Sequence, residues 1–241
     1  MKSFTSFQEL EALGAALAKK YTADTHRWNA GCFDIEGFIT DGLRLPIVYE
    51  RFAEDDPGKI GFLADGRTPL FILKNGRKEA VIFPRNTIVI ERALLRTEES
   101  GRRRFTLAHE VAHYIMNKHV PLQAVACFHS EYDNEMSYSR KDLERLFSLN
   151  EVLTNRLGAA ILMPEWLVEK ALKKYNNGKP VQYYETGIFS QDTKLMVQKV
   201  ADSLGVSFSA VINRLRELNK LECRPIMEYL EVLMPGGSSC S

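Results

Sequence analysis

Residues 105–116 read FTLAHEVAHYIM. Ala108, Val111, Ala112 and Ile115 recur with helical period, and Leu107, Tyr114 and Met116 add apolar surface on the other sides. The stretch predicts a helix over 102–118 that is buried on most of its faces. Inside it stand His109, Glu110 and His113, in the order H-E-x-x-H. A spacing of four sets both imidazoles on one face, one turn apart, so they can converge on a single ion with Glu110 beside it. The competing reading is a core helix whose histidines are hydrogen-bonded to their neighbours. Buried polar groups need partners in either case, because an unsatisfied one costs about 1–3 kcal/mol and a buried charge far more. A zinc ion would satisfy all three residues, and a catalytic zinc centre is the expectation.

Such a centre requires a third protein ligand and an open position for water. His119, His129, Glu131, Glu135 and Glu151 have suitable chemistry. His119 follows His113 by six residues, close to Pro121, and is expected to point away. His129, Glu131 and Glu135 fall in a polar loop, where such residues are more often solvated. Glu151 lies in a predicted helix, NEVLTNRLGAAILMP, and shares a side with Thr154, Asn155 and Gly158. These small residues would let the H-E-x-x-H helix pack closely. Residue physics alone suits Glu151 equally to ligation and to the charged edge of an amphipathic helix. For an oxyanion donor, Tyr114, Tyr132, Tyr138 and His129 have the chemistry, but Tyr114 reads as core and the others as surface, so none is assigned.

Around this centre the chain changes texture several times. Phe7, Leu10, Leu13, Leu17 and Tyr21 predict an amphipathic first helix, and a second helix is expected over 34–43. Between Leu45 and Ile90, the runs IVYERF, KIGFLAD, PLFILKN, EAVIFP and TIVI alternate with Asp56-Pro57-Gly58, Asp65-Gly66 and Asn75-Gly76. They predict an antiparallel meander with hairpins at the last two pairs. Helical periodicity returns over 141–162 and 164–175, and Asn176-Asn177-Gly178-Lys179-Pro180 reads as a linker. Two domains are therefore expected, 1–178 and 179–241. In the second, two helices flank a Gly205-Val206-Ser207 turn, and the tail PGGSSCS is expected to be disordered.

Composition narrows the function classes. With Lys+Arg 32 against Asp+Glu 31, the net charge of +1 gives no global field towards nucleic acid or membrane. Glu9, Glu11, Lys19 and Lys20 interrupt the opening apolar stretch, so neither a secretory segment nor a membrane span is expected and the protein reads as cytoplasmic. Cys32, Cys127, Cys223 and Cys240 are widely spaced, which predicts reduced thiols. Cys127 reads as a small buried hydrophobe rather than a redox-sensitive thiol. The C-terminal helix pair is HTH-like, and Asn213, Arg214 and Arg216 could reach DNA. Residues 191–220, however, carry only Lys194, Lys199, Arg214, Arg216 and Lys220 against Asp192, Asp202 and Glu217, which would neutralise few phosphates. DNA binding is thus possible but not favoured. Arg102-Arg103-Arg104 reads as a solvated first turn with carboxylate partners, since cations there oppose the helix dipole.

RRRFTLAHEVAHYIM, followed by Glu151, Asn155 and the run Ala159-Ala160-Ile161-Leu162-Met163-Pro164, resembles the ImmA/IrrE family of zinc metallopeptidases. That family pairs R-F-T-L-A-H-E-x-x-H with E-x-x-x-N-x-x-A-A-x-L-L-M-P, and the likeness extends from Lys59 to Pro164. Gly158 departs from the first alanine of the pattern and Leu157 from a common phenylalanine. The resemblance implies an α+β, zincin-like metallopeptidase domain with a short antiparallel sheet and an active-site helix, plus the helical, HTH-like C-terminal region. It implies Zn2+ held by His109, His113 and Glu151, with Glu110 as general base. It implies a protein substrate, typically a helix-turn-helix transcriptional repressor cut once to relieve repression. The other class left open is a regulatory protein that binds a partner protein or DNA through its C-terminal helices and cuts nothing.

Overall fold

The computed structural model describes residues 6–25, 32–56, 58–119, 127–129 and 149–233. The chain is mixed α+β and separates into two compact units, Met1–Glu165 and Trp166–Ser241.

The first unit is built around α3 (Ser100–His119), which is buried at every position from 106 to 116. Sequestering an apolar side chain here is worth about 1.5–3 kcal/mol, so this helix anchors the core. Two further helices pack in series, α1 (Phe7–Thr25) against α4 (Leu149–Leu162) and α4 against α3. The buried side of α1 is Leu10, Gly14, Ala18 and Tyr21, while Phe7 remains 37% exposed. The expected stripe of large residues is therefore rotated towards the small ones, because Gly14 lets α1 close onto Ala160. A Cβ built on Gly14 would lie 2.6 Å from that of Ala160. The expected helix at 34–43 is a short turn, α2 (Ile35–Gly37), which continues as a π-turn over Phe38–Gly42. Asp34 caps it by accepting the Gly37 amide at 3.0 Å.

All five apolar runs of the predicted meander form strands, but only the third and fourth pair in sequence. β1 (Ile47–Glu50), β2 (Gly61–Leu63), β5 (Ile88–Glu91) and β6 (Cys127–His129) make one sheet in the order β1-β5-β2-β6. β1 runs parallel to β5, with Ile47 opposite Ile88, whereas β2 is antiparallel to both β5 and β6. The sheet is mixed, which corrects the expectation of a purely antiparallel one. β3 (Leu70–Lys74) and β4 (Arg77–Val81) form a separate hairpin. Its turn holds Asn75 at φ 51° and Gly76 at φ 76°, the left-handed pair that Asn-Gly supplies. Asp65-Gly66 makes a different turn. The Asp65 carboxylate accepts the Arg67 and Thr68 amides at 2.7 Å, and the chain leaves β2 without pairing it to β3.

In the second unit, α5 (Glu165–Asn176) leads into β7 (Val181–Tyr184). The segment expected as a linker is the turn between them, with Asn177 at φ 52° and Gly178 at φ 74°. α6 (Gln191–Leu204) and α7 (Phe208–Glu217) flank Gly205, whose φ of 65° ends α6. Ser207 caps α7 through the Ala210 amide, and the two axes bend by 94°. β8 (Leu221–Arg224) pairs parallel with β7, and α8 (Ile226–Leu233) follows. These last two elements and β7 were not expected. Among the described residues no single helix is long and apolar enough to cross a membrane.

Candidate active site

His109 and His113 occupy the buried face of α3 that meets α4, and Glu151 stands in the first turn of α4. Glu151 Oε2 lies 3.4 Å from His109 Nε2, Glu151 Oε1 lies 3.4 Å from His113 Nε2, and the two Nε2 atoms are 2.9 Å apart. All three donors fall within 4.8 Å of one another. The structure thus brings together two helix-borne imidazoles and a carboxylate from the neighbouring helix.

The face of α4 that supplies Glu151 also orients the histidines. Asn155, one turn on, accepts from His109 Nδ1 at 2.8 Å, which leaves the Nε2 lone pair directed at the cluster. Thr154 Oγ1 stands 3.5 Å from His113 Nδ1. Gly158 completes this face. A Cβ there would come within 3.0 Å of the Ala108 carbonyl oxygen and 3.2 Å of the His109 nitrogen, so the glycine that departs from the family pattern sits where the α3 backbone comes close to α4.

Electrostatics favour the ligating forms. Burial lowers the pKa of His113, and His109 beside it adds to the effect against the opposing pull of Glu151, so the imidazole is held neutral. Burial alone would raise the Glu151 pKa, but the His109 and His113 imidazoles, whose Nε2 atoms face its oxygens at 3.4 Å, outweigh it when they carry protons there and keep the carboxyl well below the usual range.

Glu110 is fully buried. Burial, and then the charge of Glu151, push its pKa well above the ordinary carboxylate value, while the Leu63 backbone amide acts in the opposite sense. Among the described residues neither of its oxygens has a hydrogen bond of full geometry, which leaves a buried acid in need of a polar occupant at its side. Its carboxylate is seated against Gly61 of β2. A Cβ on Gly61 would collide with Glu110 Oε1 and lie 2.7 Å from Thr106 Cγ2. The sequence placed Thr154 and Asn155 only as small residues beside Glu151, not as partners of the histidines, and did not single out Gly61. For Thr154 and Asn155, the spacings of three and four from Glu151 were an available signal.

Of the other candidates, Glu131, Glu135, Tyr132 and Tyr138 lie outside the described residues, as do the side chains of His119, Cys127 and His129. Tyr114 is buried, as expected of core. The three arginines that open α3 do have partners: Arg102 pairs with Glu99 at 3.6 Å and Arg103 with Glu36 at 3.2 Å, while Arg104 donates to the Phe33 carbonyl at 2.6 Å. They are partly buried tethers rather than a solvated turn. In α7, Arg214 is 1% exposed and bonded to Glu217 at 3.0 Å, so it is not available at the surface for DNA.

Two buried imidazoles and an ionised carboxylate, with a second buried acid alongside, define an α+β protein with a candidate metal centre, of the class that includes metallopeptidases. Residues 73–216 match the family model Peptidase_M78, described as the IrrE N-terminal-like domain. The match covers more than half of the 241 residues, and the chain belongs to this ImmA/IrrE family of peptidases. No curated protein matches the chain.

Proposed function

We propose that the protein is a zinc-dependent endopeptidase that cuts a peptide bond in a protein substrate, a helix-turn-helix transcriptional repressor, and so relieves repression in the cytoplasm. The observation that carries the reading is the convergence of His109, His113 and Glu151 within 4.8 Å beside a fully buried Glu110. Two nitrogen donors and one carboxylate are the donor set of a catalytic zinc with one position left for water or substrate. Family membership and the repressor-cleaving habit implied by the motif resemblance support the substrate class.

When bound, zinc supplies Lewis acidity, polarising a carbonyl and bringing the pKa of water towards about 7. The chain's own residues do the rest. Asn155 and Thr154 fix the imidazoles, and the α3–α4 contact holds Glu151 against them. Glu110 takes the attacking water's proton at its carboxylate and returns it to the leaving amine.

The test compares new protein N-termini in cells carrying the wild type or Glu110→Gln, with zinc content measured on both purified proteins. The expected result is about one zinc per chain in each and a set of N-termini, mapped to an exposed segment of a repressor, that vanishes in the variant. The general-base role predicts a loss of about 10²–10⁴ in turnover. Identical N-termini in both strains would exclude proteolysis and favour a binding role.

A further inference from the structure

Beyond the metal donors, α3 carries a second polar stripe. Glu110, Tyr114 and Asn117 follow at spacings of four and three, and Lys118 follows Tyr114 by four, so one face leads from Glu110 to the C-terminal half of the helix. Against that face lies a cavity of about 110 Å³, closed on the other side by the end of β2 and the turn at 84–87. Arg85 and Asn86 line it from the turn, Asn117 and Lys118 from the helix. Two cations and two amides therefore surround a volume sized for one short side chain.

The backbone of the walls is fixed. The Thr87 amide bonds to the Pro84 carbonyl at 3.1 Å and Asn86 sits at φ 67°, which sets Arg85 at the corner of a tight turn. The Asn86 amide pins that turn to the Ala64 carbonyl at 2.8 Å. Gly66, at φ 81°, lets Arg85 come close, since a Cβ on it would be 3.2 Å from the Arg85 Cβ. On the helix side, Lys118 Nζ rests 4.4 Å above the ring of the buried Tyr114. Asp65 is the acid at the rim, but its oxygens already accept the Arg67 and Thr68 amides at 2.7 Å and the Thr68 hydroxyl at 2.8 Å. Among the described residues neither Arg85 nor Lys118 forms an ion pair. The cavity lining thus carries two cations against the single Asp65 carboxylate, whose oxygens the turn already engages as acceptors.

Position relates the cavity to the site. Leu63 both lines it and directs its backbone amide at Glu110. From Gly61, which seats Glu110, to the Leu63–Asp65 wall is two to four residues of strand, about 7–13 Å. Along α3, Asn117 lies about 10 Å beyond Glu110. Either measure spans two to four residues of an extended substrate.

The geometry points to a substrate subsite for a carboxylate: the cavity takes an Asp or Glu side chain located two to four residues from the scissile bond. This rests on the peptidase reading above. Arg85 presents the guanidinium fork that matches a carboxylate, Lys118 adds a second positive charge, and the amides fill the remaining oxygen lone pairs. A basic substrate side chain would meet two like charges against one Asp65 carboxylate, and a neutral one would gain no ion pair.

The test uses the full chain loaded with zinc and an unbiased peptide mixture, with cleavage sites read by mass spectrometry for the wild type and for Arg85→Glu/Lys118→Glu. The wild type is expected to enrich Asp or Glu at one position two to four residues from the cut, roughly three- to tenfold, as one or two exposed ion pairs supply. The double variant is expected to invert that preference to Lys or Arg. Cleavage with no acidic preference, or an unchanged preference in the double variant, overturns the subsite. A second arm needs no cleavage. The Arg85 Nε–H and the Asn86 and Asn117 side-chain amide resonances are followed while acetyl-glutamate amide or acetyl-glutamine amide is added. Saturable shifts with the glutamate compound alone uphold the carboxylate site, even if no peptide is cut and the peptidase reading falls. Absence of such shifts overturns the site, even if proteolysis stands.

Discussion

A side chain at position 61 would occupy the space that the Glu110 carboxylate fills. Gly61→Ala is therefore expected to push the buried acid off its seat while leaving His109, His113 and Glu151, which lie at the contact of α3 with α4, in place. Misplacing a reacting group by about 1 Å costs roughly 10²-fold in rate, so turnover should fall by that order with zinc stoichiometry unchanged. Unchanged turnover would show that Glu110 is held by something other than β2. Residues at this scale differed in how readily they could be read. His109, Glu110 and His113 share one helix, and their spacing alone proposes a site. Glu151 rested on family resemblance, because a ligand and a helix-edge glutamate look alike in their own segment. Gly61 left no local trace, since its role depends on a side chain from a distant part of the chain.

The elements that matter most are α3 and α4, whose contact assembles the donors. Gly158 faces α3 backbone and Gly14 faces α4 backbone, so a valine at either position overpacks a helix pair, at a typical cost of about 1–3 kcal/mol. The two variants should lose similar stability in urea, but only Gly158→Val should also weaken zinc binding, because it separates Glu151 from the histidines. Equal zinc affinity in the two would mean that the α3–α4 spacing does not set the site. At the turn after β2, burial raises the Asp65 pKa, but hydrogen bonds from Thr68 and Arg67 outweigh it and hold it below its ordinary value of 3.8. A depressed carboxylate contributes stability above the unfolded pKa and loses it as the pH falls through the folded one. The stability gap between the wild type and Asp65→Asn should accordingly narrow below about pH 4, as read from urea midpoints at several pH values. A gap independent of pH would remove this carboxylate from the account. Strand positions were legible from alternation and turn residues, yet strand order was not: TIVI reads the same whether its neighbours run parallel or antiparallel. The runs VQYY and LECR are short and partly polar, and their pairing depends on the two helices between them.

On the scale of the whole molecule, near-neutral charge removes long-range steering and leaves recognition to placed side chains such as Arg85 and Lys118. The family match begins in β3 and ends in α7, so it runs through both units of the chain. Metal removal should register in the unfolding of the first unit, which holds every donor. Zinc at 1,000 times its dissociation constant adds about 4 kcal/mol to the folded state, so a chelator should lower the first unit's Tm by roughly 8–16 °C. A melting curve indifferent to chelation would count against a metal centre. The donor set is also divided in time. His109 and His113 leave the ribosome with α3, whereas Glu151 follows only with α4, after a long intervening stretch of chain. A nascent chain therefore holds two donors of three until α4 has emerged, and no site of this kind can close before then.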